Sequence, residues 1–479
     1  MSLAITAIRG AYFTSIALAF RQAISFLTVF YIARILTPSD FGIAAMVMVV
    51  VGLAQVIGDI GFSAGLVRSQ KNTSTVLSTC FWIGLGIGIF LTLTLILIAP
   101  LAAMFYGVDT VAPLLRVAAW GLLVNFCTPV PLAILQQRLG YGELALSQAF
   151  GSLAGAVVAV VLATAGLGIW SLVIQPIAGN VLALALMIIY TKWRPTWEYN
   201  YASVRDILYD GLNLLGSSIS QYARNNFDTV VIGNAMDSKD LGVYSMARTI
   251  LYAPMYLITS VVSRVIFPLL AKVQGEPEKV KDTILTATTR TGLLIFPLYI
   301  GLMVVANDFV FLAFGDNWLE IVPLIRIMIL PAMIQSISHL ASPIMVALGA
   351  SGLSLRISAG GALFYFATLL CVIPYGLTAV AYGYAVTNSL VGSISIFLAL
   401  RLAQIPISAF LHAMLRPLFF SIIMMAVLMA IRTFFLHGSH LRLAILIVSG
   451  ALVYACLVFL FEKKAWQQVA SAFKAKHSL

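Results

Sequence analysis

Seven charged side chains and one histidine lie within stretches of the chain that are otherwise apolar: Arg21, Asp59, Arg224, Asp228, Arg248, Arg264 and Arg290, with His339. A charge at the centre of a bilayer costs about 2.5 to 3.5 kcal/mol on insertion scales, so such residues turn toward a bundle interior or a water-filled path. Arginine outnumbers carboxylate in this set. Fixed guanidinium groups in a low-dielectric cleft favour an anion, and their planar fork matches phosphate oxygens. An exporter of cations wants the opposite sign. The chemistry indicated is recognition of a phosphate-bearing or otherwise anionic cargo.

The positions differ in weight. Arg116, Arg248, Arg264 and Arg326 fall within about two turns of a span end, a distance over which arginine snorkels to the interface. Arg21 lies near the middle of the first span, beyond that reach. Arg224 and Asp228 are four residues apart and share a helical face, where a structural ion pair and a functional pair both stay open. Arg290 lies in the cytoplasmic third of the ninth span. Asp59, toward the end of the second, can hold packing together or pair with nearby Arg68. His339 has Ser336, Ser338 and Ser342 for neighbours and reads as a hydrogen-bonded core histidine. No GxxxxGK[ST] phosphate loop, DxD pair or HExxH is present, and Cys80, Cys127, Cys371 and Cys456 are far apart, with no metal or haem spacing. No cofactor, metal or catalytic residue is expected.

The elements that carry these residues follow from composition. Of 479 residues, 61% are hydrophobic and 9% charged, against about 25% charged in a soluble domain. A polytopic membrane protein follows. About fourteen apolar runs, each some 20 residues or longer, lie between residues 11 and 461. They lack the period-two alternation of a membrane barrel, so the fold class is all-α. Short turns such as Thr37-Pro38-Ser39-Asp40, Gly107-Val108-Asp109 and Gly315-Asp316-Asn317 divide neighbours into hairpins. The net charge of +11 reports orientation: loops holding Arg9, Arg68, Lys71, Arg138, Lys192, Arg194 and Arg205 alternate with loops holding little more than Arg34, Lys239, Arg432 and Arg442. The basic side, with both termini, is cytoplasmic by the positive-inside rule. The N-terminal segment is expected to be retained as the first span, being too long for a signal-peptide core.

The chain also matches itself. Ile32–Met46 lies over Ile232–Met246 at an offset of 200, and Pro113–Val117 over Pro323–Ile327 at an offset of 210. Both matches fall at equivalent hairpins. Two six-helix bundles of the same topology follow, related by an axis along the membrane normal and enclosing a central cleft suited to alternating access. The boundaries are 1–191 for the first bundle, 192–205 for a cytoplasmic linker and 206–401 for the second bundle. Two additional helices occupy 402–461, and a basic cytoplasmic tail 462–479. Pro254, Pro297, Pro331 and Pro343 predict kinks or breaks, and the Gly84–Gly88 and Gly151–Gly155 runs predict close helix packing.

Several segments resemble the polysaccharide-specific (Wzx-type) branch of the multidrug/oligosaccharidyl-lipid/polysaccharide (MOP) flippase superfamily. They are Ala33–Gly42, Gly58–Arg68, Asn226–Gly233, Leu241–Ala247 and Val265–Pro268, and the likeness covers nearly the whole chain. The resemblance implies a bacterial inner-membrane flippase that moves undecaprenyl-pyrophosphate-linked oligosaccharide to the periplasmic leaflet for exopolysaccharide, O-antigen or capsule. It implies coupling to a proton or sodium gradient, membrane lipids as surroundings, and a polysaccharide polymerase and chain-length regulator as partners, with no nucleic acid. Arg21 and Arg290 look like the family's cavity arginines and Asp228 like its span-seven aspartate. With Arg224 these form the expected headgroup set Arg21, Arg224 and Arg290. Asp59, Asp228 and His339 form the set for coupling or ion pairing. An ion-coupled exporter of drugs or other small molecules, a peptidoglycan-precursor flippase and a membrane glycosyltransferase or polymerase are the competing readings.

Overall fold

The computed structural model describes residues 20–59, 66, 73–201, 204–273, 275–435 and 441–461. Arg9, Arg68, Lys71, most of the Gly58–Arg68 motif, the start of the first span, the side chain of Arg264 and the tail 462–479 lie outside the described residues. Among the described residues there is no strand. Eleven helices are long and apolar enough to cross a membrane, in accord with the all-α polytopic fold class.

The helices are α1 (Phe20–Ala33), α2 (Pro38–Gly58), α3 (Ser74–Tyr106), α4 (Val111–Cys127), α5 (Pro129–Gln137), α6 (Tyr141–Thr164), α7 (Trp170–Thr191) and α8 (Arg205–Ala235). They continue with α9 (Ser238–Val273), α10 (Pro277–Phe314), α11 (Ile321–Ser338), α12 (Ala341–Ala347), α13 (Ser351–Val372), α14 (Leu377–Leu402), α15 (Ile407–Phe435) and α16 (Arg442–Phe461). Helices α4 and α5 together make one apolar span, Val111–Gln137, and α11 and α12 make another, Ile321–Ala347. Counted so, fourteen helical spans match the number expected. Helix α8 is missing from the eleven because it carries too many polar residues.

The chain forms two compact units, Met1–Ser245 and Met246–Leu479, and the division falls inside α9. In the first unit the Thr37-Pro38-Ser39-Asp40 turn starts α2 with a capping box. The Thr37 hydroxyl accepts from the Asp40 amide, the Asp40 carboxylate accepts from the Thr37 amide, and Pro38 fills a first-turn position where no N–H is needed. Gly107 closes α3 at φ 65°, a left-handed cap that glycine adopts without strain.

The duplicated hairpins meet at their equivalent residues. A Cβ on Gly42 would lie 1.7 Å from the Ser238 carbonyl oxygen, and a Cβ on Gly242 would lie 1.7 Å from the Pro38 carbonyl oxygen. The two contacts mirror each other, and the Ser39 and Ser238 hydroxyls bond beside them at 2.6 Å. The starts of α2 and α9 are therefore in backbone contact about a local twofold relation. Small residues permit such an approach where lipid supplies no hydrophobic drive between helices.

The glycine runs pack as expected. Gly151 of α6 faces Gly179 of α7, where an added Cβ would come within 2.6 Å of the Gly179 carbonyl oxygen, and Gly84 takes the backbone of Phe126. Gly86 faces nothing within 4 Å. The segment after α7 is strapped to the start of α3: Trp82 donates to the Thr196 carbonyl at 2.8 Å and stacks on Trp197, and Ser78 and Thr79 bond Thr196 and Asn200.

In the second unit α15 lies along α10, with Pro417 against Gly292 and Thr289 donating to the Ala413 carbonyl. Helix α16 joins them through Tyr454, which donates to the Leu293 carbonyl at 2.9 Å. The two helices beyond the repeat thus brace α10. Arg432 donates to the Val304 carbonyl at 3.1 Å, and Arg442 meets Asp308 at 3.4 Å, an ion pair by distance with both side chains about a fifth exposed. Asp308→Ala leaves that guanidinium without its counter-ion, and a loss of about 1–2 kcal/mol follows from removing one partner of a half-desolvated pair. Thermal unfolding of the purified protein in detergent measures it; an unchanged midpoint would mean that water or headgroups replace Asp308.

Candidate functional site

Asp228 is the most deeply buried carboxylate among the described residues, 2% exposed within α8. Its Oδ2 accepts a hydrogen bond from the Tyr244 hydroxyl at 2.8 Å, and its Oδ1 accepts from the Thr229 amide at 2.8 Å. Tyr244 is fully buried in the first turns of α9. The two motifs Asn226–Gly233 and Leu241–Ala247 thus meet through this bond across the α8–α9 turn. Arg224, one turn before Asp228, is exposed. The Asp228 carboxylate is held by the Tyr244 phenol.

Arg21 is exposed at the start of α1, and Arg290 is exposed on α10. Asp59 caps the C-terminus of α2 and is exposed, its amide donating to the Gln55 carbonyl at 2.9 Å. His339 is exposed at the end of α11, which corrects its reading as a core histidine. The helix breaks there, between Ser338 and Ala341. Arg116 and Arg326, at equivalent positions of α4 and α11, are both exposed. Arg248 departs from that pattern: it is half-buried, with its guanidinium 5.2 Å from the centre of the Tyr252 ring.

Neutral polar side chains inside the spans form a second arrangement that formal charge alone does not reveal. In the first unit Asn180 of α7 donates to Asn125 of α4 at 3.0 Å. In the second unit Gln335 of α11 donates to Asn388 of α14 at 2.7 Å. Gln335 lies 210 residues after Asn125, the offset that relates α4 to α11, so both copies bridge the same pair of spans with the same chemistry. Each bridge lies just before the break in its span, at Thr128 in one copy and at His339–Leu340 in the other. The second unit extends its bridge: the Tyr384 hydroxyl donates to Gln335 at 3.3 Å and bonds the Tyr252 hydroxyl at 2.7 Å. The available signal was an amide inside an apolar run at repeat-equivalent positions.

A family model described as "Polysaccharide biosynthesis protein" matches residues 31–323, well over half of the chain. The chain belongs to the polysaccharide biosynthesis protein family. Relatives in this family include the teichuronic acid biosynthesis protein TuaB of Bacillus subtilis, 26% identical over 89% of each chain. Another is the lipopolysaccharide biosynthesis protein WzxC of Escherichia coli, 25% identical over 71% of this chain and 69% of its own. Among solved structures, the lipid II flippase MurJ in an inward closed conformation superposes with a TM-score of 0.78 at 17% identity, covering 94% of this chain and 99% of MurJ. An inward-facing multidrug resistance transporter of the MOP superfamily gives 0.63 at 14% identity, covering 80% of this chain and 95% of its own. The fold is therefore that of the MOP superfamily. With eleven helices long and apolar enough to cross a membrane, this member of the family is a multi-pass membrane protein.

Proposed function

We propose that this protein is a bacterial inner-membrane flippase that carries undecaprenyl-pyrophosphate-linked oligosaccharide from the cytoplasmic to the periplasmic leaflet. The observation that carries the anionic-head reading is the exposure of Arg21, Arg224 and Arg290 on α1, α8 and α10, helices read here as membrane spans. A guanidinium there is costly unless it faces water or an anion, and its fork suits a pyrophosphate. Membership of a polysaccharide biosynthesis family supports a glycan cargo. Bundles at 1–191 and 206–401 with a linker at 192–205, braced by 402–461, would alternate access, with both termini in the cytoplasm. Asp228 is the group we assign to coupling, through a proton or a sodium ion; Asp59 and His339, both exposed at helix ends, complete the coupling or ion-pair set. No cofactor is required. A polymerase and a chain-length regulator would take the cargo onward.

The test is export in a deletion strain. Each hydrogen bond to a charged group contributes about 1.5–3 kcal/mol, so Arg21→Ala and Arg290→Ala should each lower export by about 10- to 100-fold. Lipid-linked oligosaccharide should then accumulate on the cytoplasmic leaflet. Normal polymer from both variants would overturn the headgroup assignment. Acquired drug susceptibility in the deletion strain, with polymer unaffected, would instead favour export of small amphiphiles.

A further inference from the structure

The duplication provides an internal control for the polar cluster of the second unit. What both copies keep, the amide bridge between α4 and α7 and between α11 and α14, is architecture. What only the second copy adds is a candidate for specificity. At offset 200, Tyr252 and Arg248 correspond to Gly52 and Met48, and the register that aligns Asn388 with Asn180 puts Pro176 opposite Tyr384. The first copy thus has no phenol and no guanidinium at these places. The second has Arg248 over Tyr252, Tyr252 bonded to Tyr384, and Tyr384 bonded to Gln335.

We propose that Tyr252, Tyr384, Gln335 and Asn388 form a saccharide-reading subsite of the second unit, with Arg248 at its edge; this rests on the cargo reading above. Three arguments converge. Tyr252, Gln335 and Asn388 are half-buried in the interior of their helices. Asn388, for example, lies eleven residues into α14, about 16 Å along its axis. Polar groups at that depth avoid acyl chains, so their exposed portions border a hydrated path. The cluster is neutral apart from one arginine and contains no carboxylate, which suits an uncharged polyol beside an anion and not a metal ion. Finally, an amide offers a donor and an acceptor side by side, which match vicinal hydroxyls, and a tyrosine ring presents an apolar face to sugar C–H groups with a hydroxyl at its rim. Tyr365, whose ring meets that of Tyr384 edge-on at 5.9 Å, fixes the orientation of the inner phenol.

The test measures binding to the full-length protein in nanodiscs. Three probes are used: bare undecaprenyl pyrophosphate, the same carrier bearing one N-acetylglucosamine, and lipid-linked oligosaccharide extracted from a polymerase-deficient host. The unsubstituted protein should bind the oligosaccharide carrier about tenfold more tightly than the bare one, an increment of about 1.4 kcal/mol. Gln335→Leu with Asn388→Leu, and separately Tyr252→Phe, should reduce that preference while leaving the bare carrier's affinity unchanged. Asn125→Leu, which cuts the equivalent bridge in the first unit, should leave the preference intact. Equal weakening toward all three probes in the second-unit variants would mark the cluster as helix glue and overturn the subsite, as would an undiminished preference. Failure of any carrier to bind the unsubstituted protein would overturn the cargo reading and the subsite with it, whereas tight binding of the bare carrier without a sugar preference would overturn the subsite alone.

Discussion

Gly42→Ala is expected to abolish a stable fold, and Gly242→Ala to do the same. In each case the new methyl carbon would lie 1.7 Å from a backbone carbonyl oxygen, about half the distance of a van der Waals contact. No rotamer relieves that overlap, because the obstructing atoms are main chain. The starts of α2 and α9 must separate, breaking the Ser39–Ser238 hydrogen bond on the way. Overpacking typically costs about 1–3 kcal/mol when side chains can yield, and a backbone collision belongs at or above the top of that range. The measurement is a melting curve followed by size exclusion of a fluorescent fusion. Gly86→Ala is the control, since nothing lies within 4 Å of its added Cβ and its profile should match the unsubstituted protein. Monodisperse Gly42→Ala protein with an unshifted midpoint would mean that the two hairpins do not touch as described.

Asp228→Asn should separate fold from transport. The amide keeps the shape of the carboxylate: its oxygen accepts from the Thr229 amide and its NH2 donates to the Tyr244 hydroxyl oxygen, so melting should change little. The exchangeable charge is gone, so gradient-driven export should fall by about tenfold or more if Asp228 is the coupling group. Tyr244→Phe tests the other side of the bond. It leaves a buried carboxylate one donor short, a cost of about 1–3 kcal/mol that should be visible in the melting midpoint. Export by Asp228→Asn at the unsubstituted rate, with the gradient response intact, would reduce Asp228 to a structural role. The repeat again offers the contrast, because the first copy has Thr28 and Ala44 where the second has Asp228 and Tyr244. Thr28 satisfies its own hydroxyl on the Ile24 carbonyl at 2.8 Å and needs no partner from the next helix.

The amino-acid order alone determined the class of molecule, the spans and their hairpin turns, because lipid forces long apolar helices and polar turns leave few alternatives. Thr37–Asp40 opens α2, and Gly107 and Gly315 close α3 and α10, where their types predict. The duplication was legible too, as repeated residues at fixed offsets, and with it the excess of arginine. Tertiary structure decided which of those residues meet. Arg224 and Asp228 share a face by spacing, yet only Asp228 is buried, because Tyr244 arrives from the next helix with a donor. His339 reads as core by its serine neighbours and is exposed, at the point where α11 breaks. The amide bridges Asn125–Asn180 and Gln335–Asn388 join helices more than 50 residues apart in the chain. Local sequence cannot encode such pairings directly. They arise when close-packed helices bring two polar groups together and a membrane leaves those groups little choice but to bond.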